Sequence, residues 1–431
     1  MSALRIEQDL YKQVDCSSFS NPTEVVSTNI HLDWHLDFGN NIIFGAAEHT
    51  MKVLNAKASE IYFDSSHLTI SSVLVNNEAA SFSLAEKHPI LGAKITIEVP
   101  EIHRFEGASF TVLFHYSTSP QASAVQWLPA SATIGGKHPY IFTQCQAIHA
   151  RSLLPCMDSP SVKTPYTAIV TAPRWCTVLM SALADLTKCH INNKLSSFPE
   201  AEGTCTVFWR QPVPIPAYLI ALAGGDLVSR DISMRVRIWS EPEVIEAAHF
   251  EFGETEAFIQ AAEAITGCAY QWGRYDVLCL PPSFPYGGTE NPCLTFATPT
   301  LLAGDRSLSG VIAHEIAHSW MGNLVTNSTW DHFWLNEGWT VWLERKIVSR
   351  VTGDDEVGKL SAQIGYRSLE EDVKRMGSDN IYTSVVWPMN GQDPDDAYSS
   401  VPYEKVRENT VIFGKSLIFC LYDLIDSLCL H

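Results

Sequence analysis

Residues 314 to 337 read His314-Glu315-Ile316-Ala317-His318, then eighteen residues, then Glu337 within Trp334-Leu335-Asn336-Glu337-Gly338. Val311, Ile312, Ile316 and Trp320 recur at helical spacing and predict a helix over 308–321. A second helix, predicted over 333–350, carries Glu337 near its start among Trp334, Leu335, Trp339 and Trp342. On a helix, positions i and i+4 share a face, so His314 and His318 can reach one metal ion. Glu315 sits one step round and can hold a water beside that ion. A carboxylate buried among tryptophans is costly without a cation. Two imidazoles and one carboxylate leave the fourth tetrahedral position of a zinc ion open, as a catalytic site requires. H-E-x-x-H alone also arises by chance; the acid on the next helix makes the pattern specific.

The flanks add two blocks. Upstream lies Pro282-Ser283-Phe284-Pro285-Tyr286-Gly287-Gly288-Thr289-Glu290-Asn291-Pro292-Cys293-Leu294-Thr295-Phe296, and downstream Tyr398-Ser399-Ser400-Val401-Pro402-Tyr403-Glu404-Lys405. With Trp330-Asp331-His332-Phe333-Trp334-Leu335-Asn336-Glu337-Gly338 between them, these blocks resemble the gluzincin zinc aminopeptidases, most closely the leukotriene A-4 hydrolase group. The likeness runs from about residue 1 to about residue 405. It implies an α+β multidomain fold: an N-terminal antiparallel β domain over 1–216, then a mostly helical, thermolysin-like zinc catalytic domain over 217–405. The family's C-terminal helical domain has no counterpart, and 406–431 reads as a divergent tail, so the chain resembles a C-terminally truncated form.

Periodicity supports the β half independently. Ile30, Leu32, Trp34, Leu36 and Phe38 alternate with His31, Asp33, His35 and Asp37, and Gly39-Asn40-Asn41 turns the chain toward Ile42. Ile95, Ile97 and Val99 alternate, as do Phe110, Val112, Phe114 and Tyr116. His31 and His35 are expected on a solvated strand face, as surface residues and not ligands. Prolines at 212, 214 and 216 mark a boundary. Beyond it the pattern turns helical, with Pro242 suited to a first turn and helix formers over 243–266.

A net charge of −19 argues against nucleic acid or an anionic membrane as the main partner. No apolar run approaches the roughly 20 residues of a membrane span, and the N-terminus lacks a signal-peptide core. The eleven cysteines form no C-x-x-C pair. They read as reduced, mostly buried thiols of a cytoplasmic protein.

Taken alone, Tyr403 reads as a packing residue and Glu290 as a loop carboxylate facing water. The resemblance implies more. His314, His318 and Glu337 would hold one zinc ion per chain, with Glu315 as general base and Tyr403 as donor to the transition-state oxyanion. Glu290 would bind the substrate's free amine while Gly287 and Gly288 line its backbone. Tyr286 and Tyr398 would line the same pocket, and Gln144 and Gln146 the first substrate pocket. Asp395 matches the acid that directs water onto a lipid epoxide. Thr289 stands where the family usually has Met. Two substrate classes follow: short peptides with a free N-terminus, and the fatty-acid epoxide leukotriene A-4. A second function class also stands, a catalytically silent short isoform that acts by binding. Without the C-terminal domain, the layer of Trp320, Trp330, Trp334, Trp339 and Trp342 is expected to face water. Leu417, Leu421, Leu424 and Leu428 could cover part of it.

Overall fold

The computed structural model describes residues 14–185 and 203–405. The expected tail over 406–431, with its leucine stripe, lies outside the described residues. The chain forms two compact units. Among the described residues, one comprises 14–185, 203–227, Ser328–Trp330 and Met389–Pro394; the other comprises Val228–Asn327, Asp331–Pro388 and 395–405.

The first unit is built of β-sheets. Its largest has eight strands, in the spatial order Leu183–Ala184, Thr204–Pro216, Lys163–Pro173, Val25–Asp37, Ile42–Val53, Ser109–Thr118, Leu68–Val75 and Glu78–Ala79. Pairing is antiparallel except between Val25–Asp37 and Lys163–Pro173. The first hairpin turns where the alternation predicts. The Asp37 carboxylate accepts the Gly39 and Asn40 amides at 2.9 and 3.0 Å, and Asn41 takes φ 55°. Gly45 is required opposite Trp34, because a Cβ there would strike the Asp33 carbonyl. The prolines at 212, 214 and 216 fall inside the last long strand, and the units part after Leu227.

The two histidines of the first strand are not surface residues. His35 is buried and stacks on Phe44, its direct cross-strand neighbour, at 5.0 Å between ring centroids. His31 is half-buried and shares a 2.7 Å hydrogen bond with Thr167 across the parallel pairing. Residues 32–36 of this strand are buried on both faces, so the alternation that assigns one face to water does not hold there.

The second unit is mostly helical around one five-stranded sheet, ordered Val228–Asp231, Val236–Ser240, Tyr275–Cys279, Leu294–Ala297 and Gly288–Thr289. Its helices are α1 (Ile245–Glu251), α2 (Thr255–Thr266), α3 (Gly310–His318), α4 (Trp334–Thr352), α5 (Asp355–Met376) and α6 (Val401–Glu404). The helical stretch expected over 243–266 is therefore two helices, and Pro242 precedes the first one's cap at Val244. On α3, Ile312, Ala313, Ile316 and Ala317 face a core completed by Trp320, Trp339, Leu343 and Ile347. The histidines occupy the other face of α3. Gly353, at φ 70°, ends α4, and the Asp354 side chain caps α5 through the Glu356 amide at 2.9 Å.

The tryptophan layer does not face water. Trp320, Trp330 and Trp339 are buried, and Trp334 and Trp342 are half-buried. Trp320 donates to the Cys268 carbonyl at 3.1 Å, Trp330 packs edge-on against Tyr218, and Trp339 meets Trp342 edge-on. The exposed apolar side chains of this unit lie elsewhere, with Val357, Leu360 and Ile364 on α5. Of the described cysteines, Cys145, Cys156, Cys176, Cys268, Cys279 and Cys293 are free and buried, and Cys16 is free and exposed. Among the described residues no helix is long and apolar enough to cross a membrane.

Candidate metal centre and active site

Three side chains converge between α3 and α4. His314 Nε2 and His318 Nε2 lie 3.2 Å apart, and Glu337 Oε2 lies 3.4 and 3.3 Å from them. A tetrahedral zinc with bonds of roughly 2.0–2.1 Å places its ligand atoms roughly 3.3–3.4 Å from one another. The observed triangle has that size. Glu337 Oε2 is also buried without a hydrogen-bond partner. Such an atom is expensive unless a cation serves it. The donor set and its spacing fit a zinc ion.

The imidazoles are held from behind. His314 Nδ1 meets Glu344 Oε2 at 2.9 Å. His318 Nδ1 meets the Met321 carbonyl at 3.0 Å and the Thr340 hydroxyl at 3.0 Å, and Thr340 also donates to that carbonyl at 2.9 Å. A carbonyl only accepts, so His318 carries a proton on Nδ1, which turns Nε2 toward the centre. Glu337, Thr340 and Glu344 stand at i, i+3 and i+7 of α4, which puts them on one face. Sequence reasoning missed Thr340 and Glu344. The signal was available, since a second acid two turns beyond Glu337 shares its face.

Glu315 and Glu290 complete a buried acidic cluster around His318, all three with ligand atoms within 4.8 Å of one another. Gly288 runs so close to Glu315 that a Cβ there would overlap the carboxylate. The strand Gly288–Thr289 pairs antiparallel with Leu294–Ala297, and the Asn323 amide donates to the Glu290 carbonyl at 2.7 Å. Glu290 Oε1 is buried without a hydrogen-bond partner. Burial, reinforced by Glu290 and Glu337, pushes Glu315 up to about 8. Burial acts the other way on Glu337, yet His318 and His314 hold it down to about 2. The cluster thus places three buried carboxylates around two imidazoles, a charge balance that a divalent cation improves.

Tyr403, on α6, lies over His314 with ring centroids 6.2 Å apart and planes 28° from parallel. Phe333 and Tyr398 meet its ring edge-on at 6.3 and 6.4 Å. Burial raises its phenol well above the usual tyrosine value, with Glu337 adding to the effect, so Tyr403 stays a proton donor. Tyr398 and Asp395 are exposed, and Tyr286 is partly so. Burial, then Asp395 and Tyr398, raise the Tyr286 phenol, which brings these three together. Gly287 accepts the Thr298 amide at 3.0 Å through its carbonyl. Gln144 and Gln146 belong to the first unit, half-buried just after the strand Tyr140–Thr143.

Residues 26–219 match the family model described as the Peptidase M1 N-terminal domain, and residues 250–416 match the Peptidase family M1 domain. The chain belongs to the M1 peptidase family. It is 44% identical over 411 residues to a leukotriene A-4 hydrolase of Xenopus laevis, covering 95% of this chain and 64% of that protein. It is 45% identical over 408 residues to leucine aminopeptidase 2 of Yarrowia lipolytica, covering 93% and 60%. The solved structure of yeast LTA4 hydrolase in complex with Bestatin superposes with a TM-score of 0.87 at 37% identity, over all of this chain and 66% of that one. An M1 zinc metallopeptidase from Deinococcus radiodurans shares the fold, with a TM-score of 0.71 at 19% identity, over 96% and 90%. This M1 chain spans less than two thirds of the length of the curated relatives it matches. One zinc ion is the cofactor that M1 membership implies.

Proposed function

We propose that this chain is a zinc aminopeptidase that removes the N-terminal residue of short peptides. His314, His318 and Glu337 hold the ion, while Glu344 and Thr340 fix the two imidazoles. Zinc, when bound, lowers the pKa of a water toward about 7 and polarises a carbonyl. Glu315 takes the proton of the attacking water and returns it to the leaving amine, work typically worth about 10² to 10⁴ in rate. Tyr403 donates to the oxyanion that forms on the scissile carbonyl. Glu290 accepts charge-assisted hydrogen bonds from the substrate's α-ammonium group, so only the first peptide bond reaches the reacting atoms. Gly287 and Gly288 let the substrate backbone approach closely. Tyr286 and Tyr398 line the substrate pocket of the second unit, and Thr289, beside Glu290, tunes the first-residue preference. The buried free thiols fit a cytoplasmic location.

One observation carries the reading: the 3.2–3.4 Å triangle of His314, His318 and Glu337 shares its burial with Glu315 and Glu290. The test is a panel of aminoacyl-amide reporters and tripeptides, each with and without an N-acetyl group. Unblocked substrates should be cut and blocked ones resist. Equal rates on both would remove Glu290 as an amine anchor.

A second substrate class rests on Asp395. Its carboxylate, with Tyr286 and Tyr398, suits the direction of water onto a lipid epoxide such as leukotriene A-4. Asp395→Asn should then abolish epoxide opening while leaving peptide turnover within about threefold. Loss of both together would assign Asp395 to the shared site.

A further inference from the structure

The tyrosine assigned to the oxyanion sits on a helix too short to hold itself. α6 has four residues, and its main-chain bonds there run from the Glu404 amide to the Ser400 carbonyl at 2.9 Å and from the Lys405 amide to the Val401 carbonyl at 3.1 Å. A single helical turn is unfavourable in isolation, because it fixes several dihedrals for one or two hydrogen bonds. Yet a displacement of about 1 Å at a reacting group can lower a rate about 10²-fold. Something outside α6 must therefore fix Tyr403.

Three ties do so, and all come from the same unit. At the start of α6, the Asp372 carboxylate of α5 accepts the Ser400 amide at 2.7 Å. Past its end, Lys405 Nζ donates to the Thr383 carbonyl at 2.6 Å. Between them, Arg345 Nη2 of α4 donates to Glu404 Oε1 at 2.6 Å, with side-chain exposures of 13% and 11%. Arg345 is itself braced against α5, through Nε to the Ser361 hydroxyl at 3.1 Å and Nη2 to the Ser361 carbonyl at 3.3 Å. The other Glu404 oxygen, Oε2, is buried without a hydrogen-bond partner, so Arg345 provides the charged tie on this carboxylate. Gly365 of α5 makes room for it, since a Cβ at that position would fall on the Glu404 carboxylate.

Arg345 also directly follows Glu344, which holds His314. Consecutive residues of α4 thus grip the imidazole of a metal ligand and the segment that bears Tyr403. A rigid helix carrying both grips sets the spacing between them.

We infer that the Arg345–Glu404 ion pair, seated against Gly365, is a positioning device that aims the Tyr403 hydroxyl at the reacting carbonyl. Neither residue touches substrate; each acts through Tyr403. The inference rests on the aminopeptidase reading for its kinetic consequence, but not for its structural one.

The test uses Glu404→Gln, Arg345→Met and Gly365→Ala in the full chain, each alone and combined with Tyr403→Phe. Hydrogen–deuterium exchange is followed by mass spectrometry on metal-free and zinc-loaded protein. Peptides covering 398–405 should exchange at least tenfold faster in all three variants, while peptides from α3 and the first half of α4 keep wild-type rates. On tripeptides, kcat should fall at least tenfold with KM within twofold and zinc content unchanged. In the Tyr403→Phe background the same changes should lower kcat less than twofold further. Arg345→Lys should restore part of the loss relative to Arg345→Met. Unchanged exchange over 398–405 overturns the device, and so does a kcat loss that simply multiplies with that of Tyr403→Phe. A wild-type chain without turnover would instead contradict the proposed function, and the exchange data would still decide whether the device exists.

Discussion

His314 Nδ1 lies 2.9 Å from Glu344 Oε2, while Nε2 of the same ring lies 3.4 Å from Glu337 Oε2. One imidazole is thus clasped by two carboxylates of α4, two turns apart. In the proposed centre the far carboxylate would orient the ring and make Nε2 a stronger donor to the metal, with the near one as co-ligand. Glu344→Gln keeps the shape and removes the charge. Its zinc affinity, measured by competition with a chelator, should fall roughly 10- to 100-fold with the fold intact. Unaltered affinity would make the contact incidental.

Glu315 lies close to His318 but outside the triangle of His314, His318 and Glu337. Glu315→Gln should bind zinc as the wild type does and lose kcat by about 10² or more. KM should change little, since the proton transfer exists in the transition state and not in the bound substrate. Zinc loss in this variant would instead make Glu315 a ligand.

The first unit carries its own pH dependence. His49 is fully buried, with Nε2 donating to the Pro155 carbonyl at 2.9 Å and Nδ1 3.0 Å from the Ser27 hydroxyl. Burial lowers its pKa from 6.5 to about 4. An unfolded chain therefore takes up this proton below 6.5, whereas the folded chain does so only near 4. The stability contributed by neutral His49 is fully present above pH 6.5 and is lost as pH falls through that window, approaching about 3 kcal/mol. Chemical denaturation of wild type and His49→Gln at several pH values isolates the effect. The variant should be less stable at pH 7, and the gap should narrow toward pH 4. A constant gap would contradict the assignment.

Much of this architecture was legible in the chain. The H-E-x-x-H spacing brings His314 and His318 onto one face of α3 because a helix turns 3.6 residues at a time, whatever packs around it, and the acid of the next helix meets them there. The first hairpin was legible because Asp37 and Asn41 supply the turn chemistry themselves. The sheet of the second unit was harder to see. Val277, Leu278 and Cys279 are all buried, and a strand covered on both faces shows an apolar run without alternation. His35 was misjudged for a related reason, because residues 32–36 of its strand are buried on both faces. The tryptophans were misjudged because composition does not tell which elements fold back over them. Glu344 shared a helix face with Glu337 and could have been read. The grip of Arg345 on Glu404 spans fifty-nine residues and could not.

The most direct test of the account is zinc stoichiometry, measured by elemental analysis on purified wild-type chain and His318→Ala. His318 lies at one corner of the ligand triangle and, unlike His314, has almost no exposure to solvent. The account predicts one zinc per wild-type chain and little metal in the variant. Equal zinc in both proteins would contradict it.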